Sequence, residues 1–141
     1  MKKSIEVLIV DDDKRMAKTI YDILKINGFE GTVINSGEEA IERLKESHPD
    51  CLIMDVKMNG MNGIETLKII NKMHPSFPVI IMSAYVTEEQ KAEAEHEGAY
   101  AVLTKPFEMQ LILDFLSKLS VNGINTDKLK SVFMDNGGSF Q

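Results

Sequence analysis

Short apolar runs alternate along this chain with longer stretches in which apolar residues return every three or four positions. The runs are Ile5 to Val10, a weaker Gly31 to Ile34, Cys51 to Met54, Val79 to Met82 and Ala101 to Thr104. Brief, mostly β-branched or otherwise apolar runs of this kind mark strands covered on both faces, as in a parallel sheet. Between them, Met16, Ile20, Ile23 and Leu24 keep helical spacing up to a stop at Asn27-Gly28. Ser36 with Glu39 forms a capping box ahead of Ala40, Ile41 and Leu44, and His48-Pro49 closes that second helix. Ile64, Leu67 and Ile70 predict a third helix ending near His74-Pro75; Thr87 with Gln90 opens a fourth that runs to Glu97-Gly98; Glu108 to Leu119 supplies a fifth. Five such strand–helix pairs predict an α/β fold built on a doubly wound, five-stranded parallel sheet.

Two helices depart from ordinary amphipathic patterning. The fourth, Glu88 to Glu97, is mostly Glu, Ala and Lys, so it gains little from burial and is expected to be loosely attached. The fifth carries Met109, Ile112, Leu113, Leu116 and Leu119 on one stripe, and Leu111 and Phe115 widen it beyond the roughly 100° arc a surface helix needs. A partner protein or the C-terminal tail would cover the excess, unless Leu and Phe simply remain on the surface. After Val121 the character changes: Asn122-Gly123 breaks the helix, Asp127 to Met134 has the pattern of a short helix, and Asn136-Gly137-Gly138-Ser139 reads as flexible. One domain over residues 1–120 is expected, with 121–141 a tail or the start of a linker to an output domain.

The strands end in polar residues that bear on chemistry. Asp11 and Asp12 follow the first, Asp55 the third, Ser83 the fourth, and Lys105-Pro106 the fifth. Open α/β sheets bind ligands where their strands emerge. Carboxylates brought together there repel one another unless a cation is present, and hard oxygen donors suit Mg²⁺. A carboxylate can also attack phosphorus, which makes Asp55 the candidate nucleophile. Ser83 offers a hydroxyl donor to a phosphoryl oxygen, and Lys105 a compact positive charge. Asp13 reads as an N-cap or first-turn acid of the first helix rather than a further ligand.

Composition narrows the rest. With 141 residues, 43% of them hydrophobic, the chain suits one domain with a real core. A formal net charge of -6 argues against direct nucleic-acid binding by blanket phosphate neutralisation. Cys51 is the only cysteine, so no internal disulfide forms, and its place in an apolar run reads as a buried strand residue in a reducing compartment. The N-terminal apolar run is short, contains Glu6 and stops at three aspartates, which fits neither a signal peptide nor a membrane span. A cytoplasmic protein is expected. His48, His74 and His96 fall near helix C-termini without metal-ligand spacing and read as capping or surface residues.

Taken in order, these markers resemble the receiver domain of two-component response regulators. They are Val10-Asp11-Asp12-Asp13, Met54-Asp55-Val56-Lys57-Met58 with Gly60-Met61-Asn62-Gly63, Met82-Ser83-Ala84, and Leu103-Thr104-Lys105-Pro106-Phe107. The resemblance covers Ile5 to about Leu119. It implies a flavodoxin-like (β/α)5 fold with strand order 2-1-3-4-5. It also implies a phosphorylation-dependent signalling switch, not a turnover enzyme, with Asp55 accepting a phosphoryl group from a sensor histidine kinase or phosphotransfer protein. By the same resemblance Asp12 binds Mg²⁺ directly, Asp11 helps through a water, Asp55 and the backbone carbonyl of Lys57 complete the protein ligands, and Ser83 and Lys105 contact the phosphoryl group. The surface of the fourth helix, fifth strand and fifth helix would carry the output, to a second copy or an output partner.

Two positions depart from the family pattern. Val102 stands where an aromatic switch residue is usual, and Tyr100, two residues earlier, is a weaker candidate for that role by period-2 alternation. Asn59 replaces a usual proline, which is expected to leave the loop beside Asp55 less constrained. Lys57 and Tyr85 are candidate modulators of phosphoryl lifetime. The main rival reading is a Mg²⁺-dependent phosphatase of the haloacid dehalogenase type, which needs a general-acid Asp two residues after the nucleophile; Lys57 stands there.

Overall fold

Five parallel strands in the order β2-β1-β3-β4-β5 form the centre of the molecule in a computed structural model of the chain. The elements are β1 (Glu6–Val10), α1 (Lys14–Ile26), β2 (Glu30–Ile34), α2 (Gly37–Glu46), β3 (Cys51–Met54), α3 (Gly63–Met73), β4 (Val79–Ser83), α4 (Glu88–His96), β5 (Ala101–Thr104) and α5 (Met109–Asn122). The structure describes residues 4–104, 108–122 and 133. The expected fold class and strand order are both found. β4 reaches Ser83 itself, and α5 extends beyond Leu119 to Asn122. A further short helix over Asp127 to Met134 lies outside the described residues, apart from Phe133. No helix among the described residues is long and apolar enough to cross a membrane.

The helices begin where their polar residues can serve orphan backbone donors. Asp13 caps α1, accepting the N–H groups of Arg15 and Met16. Ser36 accepts Glu39 N–H at the start of α2, and Thr87 with Gln90 closes a reciprocal capping box on α4. A second reciprocal box, Asn62 with Glu65 on α3, follows the same rule.

Apolar strand residues alternate between two cores. On one face Val7, Ile9, Ile53, Ile80, Met82 and Leu103 pack with Ile20, Leu24, Ile112 and Phe115 of α1 and α5. On the other, Leu8, Val10, Leu52, Met54 and Ile81 pack with Ala40, Leu44, Leu67 and Ile70 of α2 and α3. Cys51 is fully buried, and that burial pushes its thiol well above the ordinary range, which keeps it unreactive in the native fold. β2, at the sheet edge, leaves Thr32 and Val33 exposed; this accounts for the weakness of its apolar pattern.

α4 contributes a single buried side chain, Ala94, and is joined to α3 by the exposed pair Lys68–Glu93 at 2.9 Å. The hydrogen bond to Glu93 raises the Lys68 pKa, but a solvent-exposed pair of this kind adds little stability. α5 is the opposite case. Phe115 is completely buried between Tyr100, with ring centroids 5.8 Å apart in an edge-on arrangement, and Phe133, with centroids 5.0 Å apart. The wide apolar arc of α5 is thus met in part by a residue of the C-terminal segment. Phe133 is itself only 4% exposed, so truncating it leaves a cavity beside Phe115. We expect Phe133→Ala to lower unfolding free energy by about 3 kcal/mol, measured by chemical denaturation followed by circular dichroism; a change under about 0.5 kcal/mol would remove Phe133 from the core.

Candidate functional site

Register decides what meets at the C-terminal edge of the sheet. Val10 of β1 lies opposite Met54 of β3, so the next residues on each strand, Asp11 and Asp55, emerge side by side. The pairing continues one step past the strands, with Asp55 N–H donating to the Val10 carbonyl at 3.1 Å and Asp11 N–H to the Ile34 carbonyl at 3.0 Å. β1 is also where the sheet order reverses, with β2 on one side and β3 on the other. A crevice opens at such a point because successive helices leave toward opposite faces.

Asp11, Asp12 and Asp55 each offer a carboxylate oxygen here, and these atoms all lie within 4.8 Å of one another. Asp11 is 2% exposed and Asp55 9%, while Asp12 is half-buried. Three carboxylates at this spacing form a set of hard donors that fits a divalent cation kept partly hydrated. Two further restraints shape the site. Asp11 Oδ1 accepts Asp13 N–H at 2.9 Å, turning the chain into α1. Gly63 opens α3 directly beneath Asp55, and a Cβ on it would collide with the Asp55 carbonyl oxygen. Glycine is required there by close approach, not by an unusual dihedral.

Ser83 ends β4 and is 4% exposed; its Oγ donates to the Tyr85 carbonyl at 3.2 Å. Tyr85 itself projects into solvent, and Lys57 is exposed two residues after Asp55. Lys105, expected at the fifth strand exit, lies outside the described residues, as do Pro106 and Phe107. Val102 is partly buried and packs on the core shared with α2, α3 and Ala94. Tyr100 does not share its face. It packs in the opposite core against Phe115, and its hydroxyl donates to the Ser76 carbonyl at 2.7 Å. Tyr100 precedes β5, so the two-residue alternation that would align it with Val102 does not extend that far.

In the loop after Asp55, two backbone donors are engaged by acids from other elements. Asn59 N–H donates to Asp12 Oδ2 at 2.9 Å, a bond a proline could not form, and Met61 N–H donates to Glu38 Oε2 at 3.1 Å. Gly60 lies between these two anchors with φ +78, a left-handed turn that glycine adopts at no steric cost. Sequence reasoning did not single out Glu38. Its only signal was an acid in the first turn of α2, which the helix dipole alone explains.

Comparison with known proteins agrees with this architecture. Residues 7–117 match the model of the response regulator receiver domain. Chemotaxis protein CheY of Thermotoga maritima is 39% identical over 116 residues, which is 81% of this chain and 96% of that protein. Transcriptional regulatory protein ZraR of Escherichia coli (strain K12) is 36% identical over 115 residues, 82% of this chain but 26% of the regulator, so the chain spans about a quarter of that relative's length. The solved receiver domain of the Francisella response regulator 1452 superposes with a TM-score of 0.77 at 33% identity, covering 86% of this chain and all of that one. With its sheet order, its strand-end carboxylates and these matches in agreement, the chain belongs to the response regulator receiver domain family of two-component systems.

Proposed function

We propose that this receiver is a phosphorylation-controlled switch in which Asp55 accepts a phosphoryl group from a sensor histidine kinase or phosphotransfer protein, with Mg²⁺ as cofactor. The observation that carries the reading is the cluster of Asp11, Asp12 and Asp55 oxygens at the β1–β3 crevice. Receiver domains act as signalling switches, and response regulators interact with histidine kinases. The remaining steps follow from chemistry at this edge.

Asp11, Asp12, Asp55 and the backbone carbonyl of Lys57 would hold the cation. When bound, it offsets the negative charge that builds between a carboxylate and an incoming phosphoryl group. The Asp55 carboxylate oxygen attacks phosphorus, the phosphorus–nitrogen bond of the donor histidine breaks, and the imidazole leaves with the electron pair and takes up a proton. The product is an acyl phosphate on Asp55. Ser83 would exchange its bond to the Tyr85 carbonyl for one to a phosphoryl oxygen, and Lys105 would supply charge to another. Lys57 and Tyr85, exposed and two residues after Asp55 and Ser83 respectively, would set access of hydrolytic water. The phosphatase alternative lacks its acid, since Lys57 occupies that position.

Movement of Ser83 draws on the end of β4 and on the start of α4, the helix with least to lose. The α4-β5-α5 surface is therefore the proposed output face, for a second copy or an output partner. Val102, small and already seated in the core, cannot supply a large aromatic rotation, so the output would be carried by α4 itself. The protein would work in the cytoplasm, without direct nucleic-acid contact through this chain.

Incubation with acetyl phosphate and Mg²⁺ should add one acid-stable, base-labile phosphoryl group by mass spectrometry, absent in Asp55→Asn; sustained phosphate release from simple phosphomonoesters would instead make the chain a phosphatase. MgCl₂ should raise the thermal midpoint of the wild type by mass action. Asp12→Asn should lose that gain and, in EDTA, be more stable than wild type by about 1 kcal/mol, because one of three crowded charges is gone. On phosphorylation, hydrogen exchange should change most in α4; unchanged exchange there would rule out the proposed output face.

A further inference from the structure

Asp12 serves two neighbours. It belongs to the carboxylate cluster, and its Oδ2 also accepts the backbone N–H of Asn59 at 2.9 Å. We propose that the Asn59 N–H is a positioning group for a divalent cation at Asp12, and that cation binding in turn restrains the loop from Lys57 to Met61. This rests on the cation site of the proposed function. The inference needs only the backbone donor, since any residue except proline presents one.

Two effects compete. A donor on the carboxylate withdraws some of its charge from a cation, which lowers affinity. The same donor holds Asp12 in one orientation and holds the loop that carries the Lys57 carbonyl, so less ordering remains when the cation arrives. A carboxylate has about four acceptor directions, so one oxygen engaged by the loop still leaves room for a metal. Ordering dominates because two ligands are fixed by one bond, and because the second anchor, Glu38 on Met61 N–H, keeps the far end of the same loop in place. Removing such a partner from a ligating carboxylate typically weakens metal affinity by about 10–100-fold. Coupling of this kind is reciprocal, so the cation must protect the Asn59 amide by the same factor.

The test is a MgCl₂ titration of the full chain followed by amide chemical shifts. Asn59→Pro, which lacks the donor, should bind Mg²⁺ about tenfold more weakly than wild type, whereas Asn59→Ala, which keeps the N–H, should stay within about twofold of it. Equal affinity of the Pro and wild-type proteins, or equal weakening by Ala and Pro, overturns the proposal while leaving the cation site standing. A wild type without saturable Mg²⁺ binding overturns both. If Asn59→Pro does not fold, hydrogen exchange of the wild type decides: saturation with Mg²⁺ should slow exchange of the Asn59 amide by up to about tenfold, and unchanged exchange rejects the coupling.

Discussion

Everything at the functional edge depends on the in-register pairing of β1 with β3. Because Val10 faces Met54 and Asp55 N–H reaches the Val10 carbonyl, two chain segments far apart in sequence release their carboxylates at the same height. A slip of one residue would turn Asp55 to the other face and separate the cluster. What prevents the slip is the burial of both faces of the two strands. Val7, Ile9 and Ile53 belong to one core and Leu8, Val10, Leu52 and Met54 to the other, so a shift would misplace all of them. Large apolar side chains of this kind contribute about 1.5–3 kcal/mol each when buried, far more than the repulsion among three aspartates removes. The crowded acids are held together by hydrophobic burial elsewhere.

Stability is distributed unevenly around that frame. α5 seats Met109, Ile112, Phe115 and Leu116 in the core and gains Phe133 over Phe115, whereas α4 buries only Ala94. The difference is several kilocalories on any area scale, since Ala buries about one methyl group where Phe buries a ring. Low local stability is what a responsive element requires. α4 is still not left loose in orientation: the capping box at Thr87 and the Lys68–Glu93 pair define where it rests.

The β3–α3 loop is held by acids as well as by packing, with Val56 and Met58 seated on the core of α2 and α3. Asp12 and Glu38 each accept one loop N–H, and Gly60 turns the chain between them. Below the loop, Gly63 lets α3 start against the Asp55 carbonyl. Asp12 therefore has two roles in the geometry, anchoring the loop backbone through Asn59 and belonging to the carboxylate cluster. Where a proline would fix the backbone by its ring, this chain has an amide that is tied by a hydrogen bond to Asp12.

The sequence by itself determined the element order, the parallel sheet and which polar residues stand at the strand ends. Short continuous apolar runs that alternate with helical stretches read as strands buried on both faces, and in a parallel sheet the acids that end them lie on one edge. It also narrowed Asp13 to a cap or first-turn acid, which the structure resolves as the cap, and it determined the poverty of α4, since both follow from spacing within a few residues. Only the tertiary structure decided that Tyr100 faces α5 and not the Val102 side, because the alternation that predicts a face holds inside a strand and β5 begins at Ala101. It alone brought Phe133 onto Phe115, and Asp12 and Glu38 onto the loop N–H groups. Those contacts join residues distant in sequence through single side chains or backbone donors, and neither periodicity nor composition records which distant groups will meet.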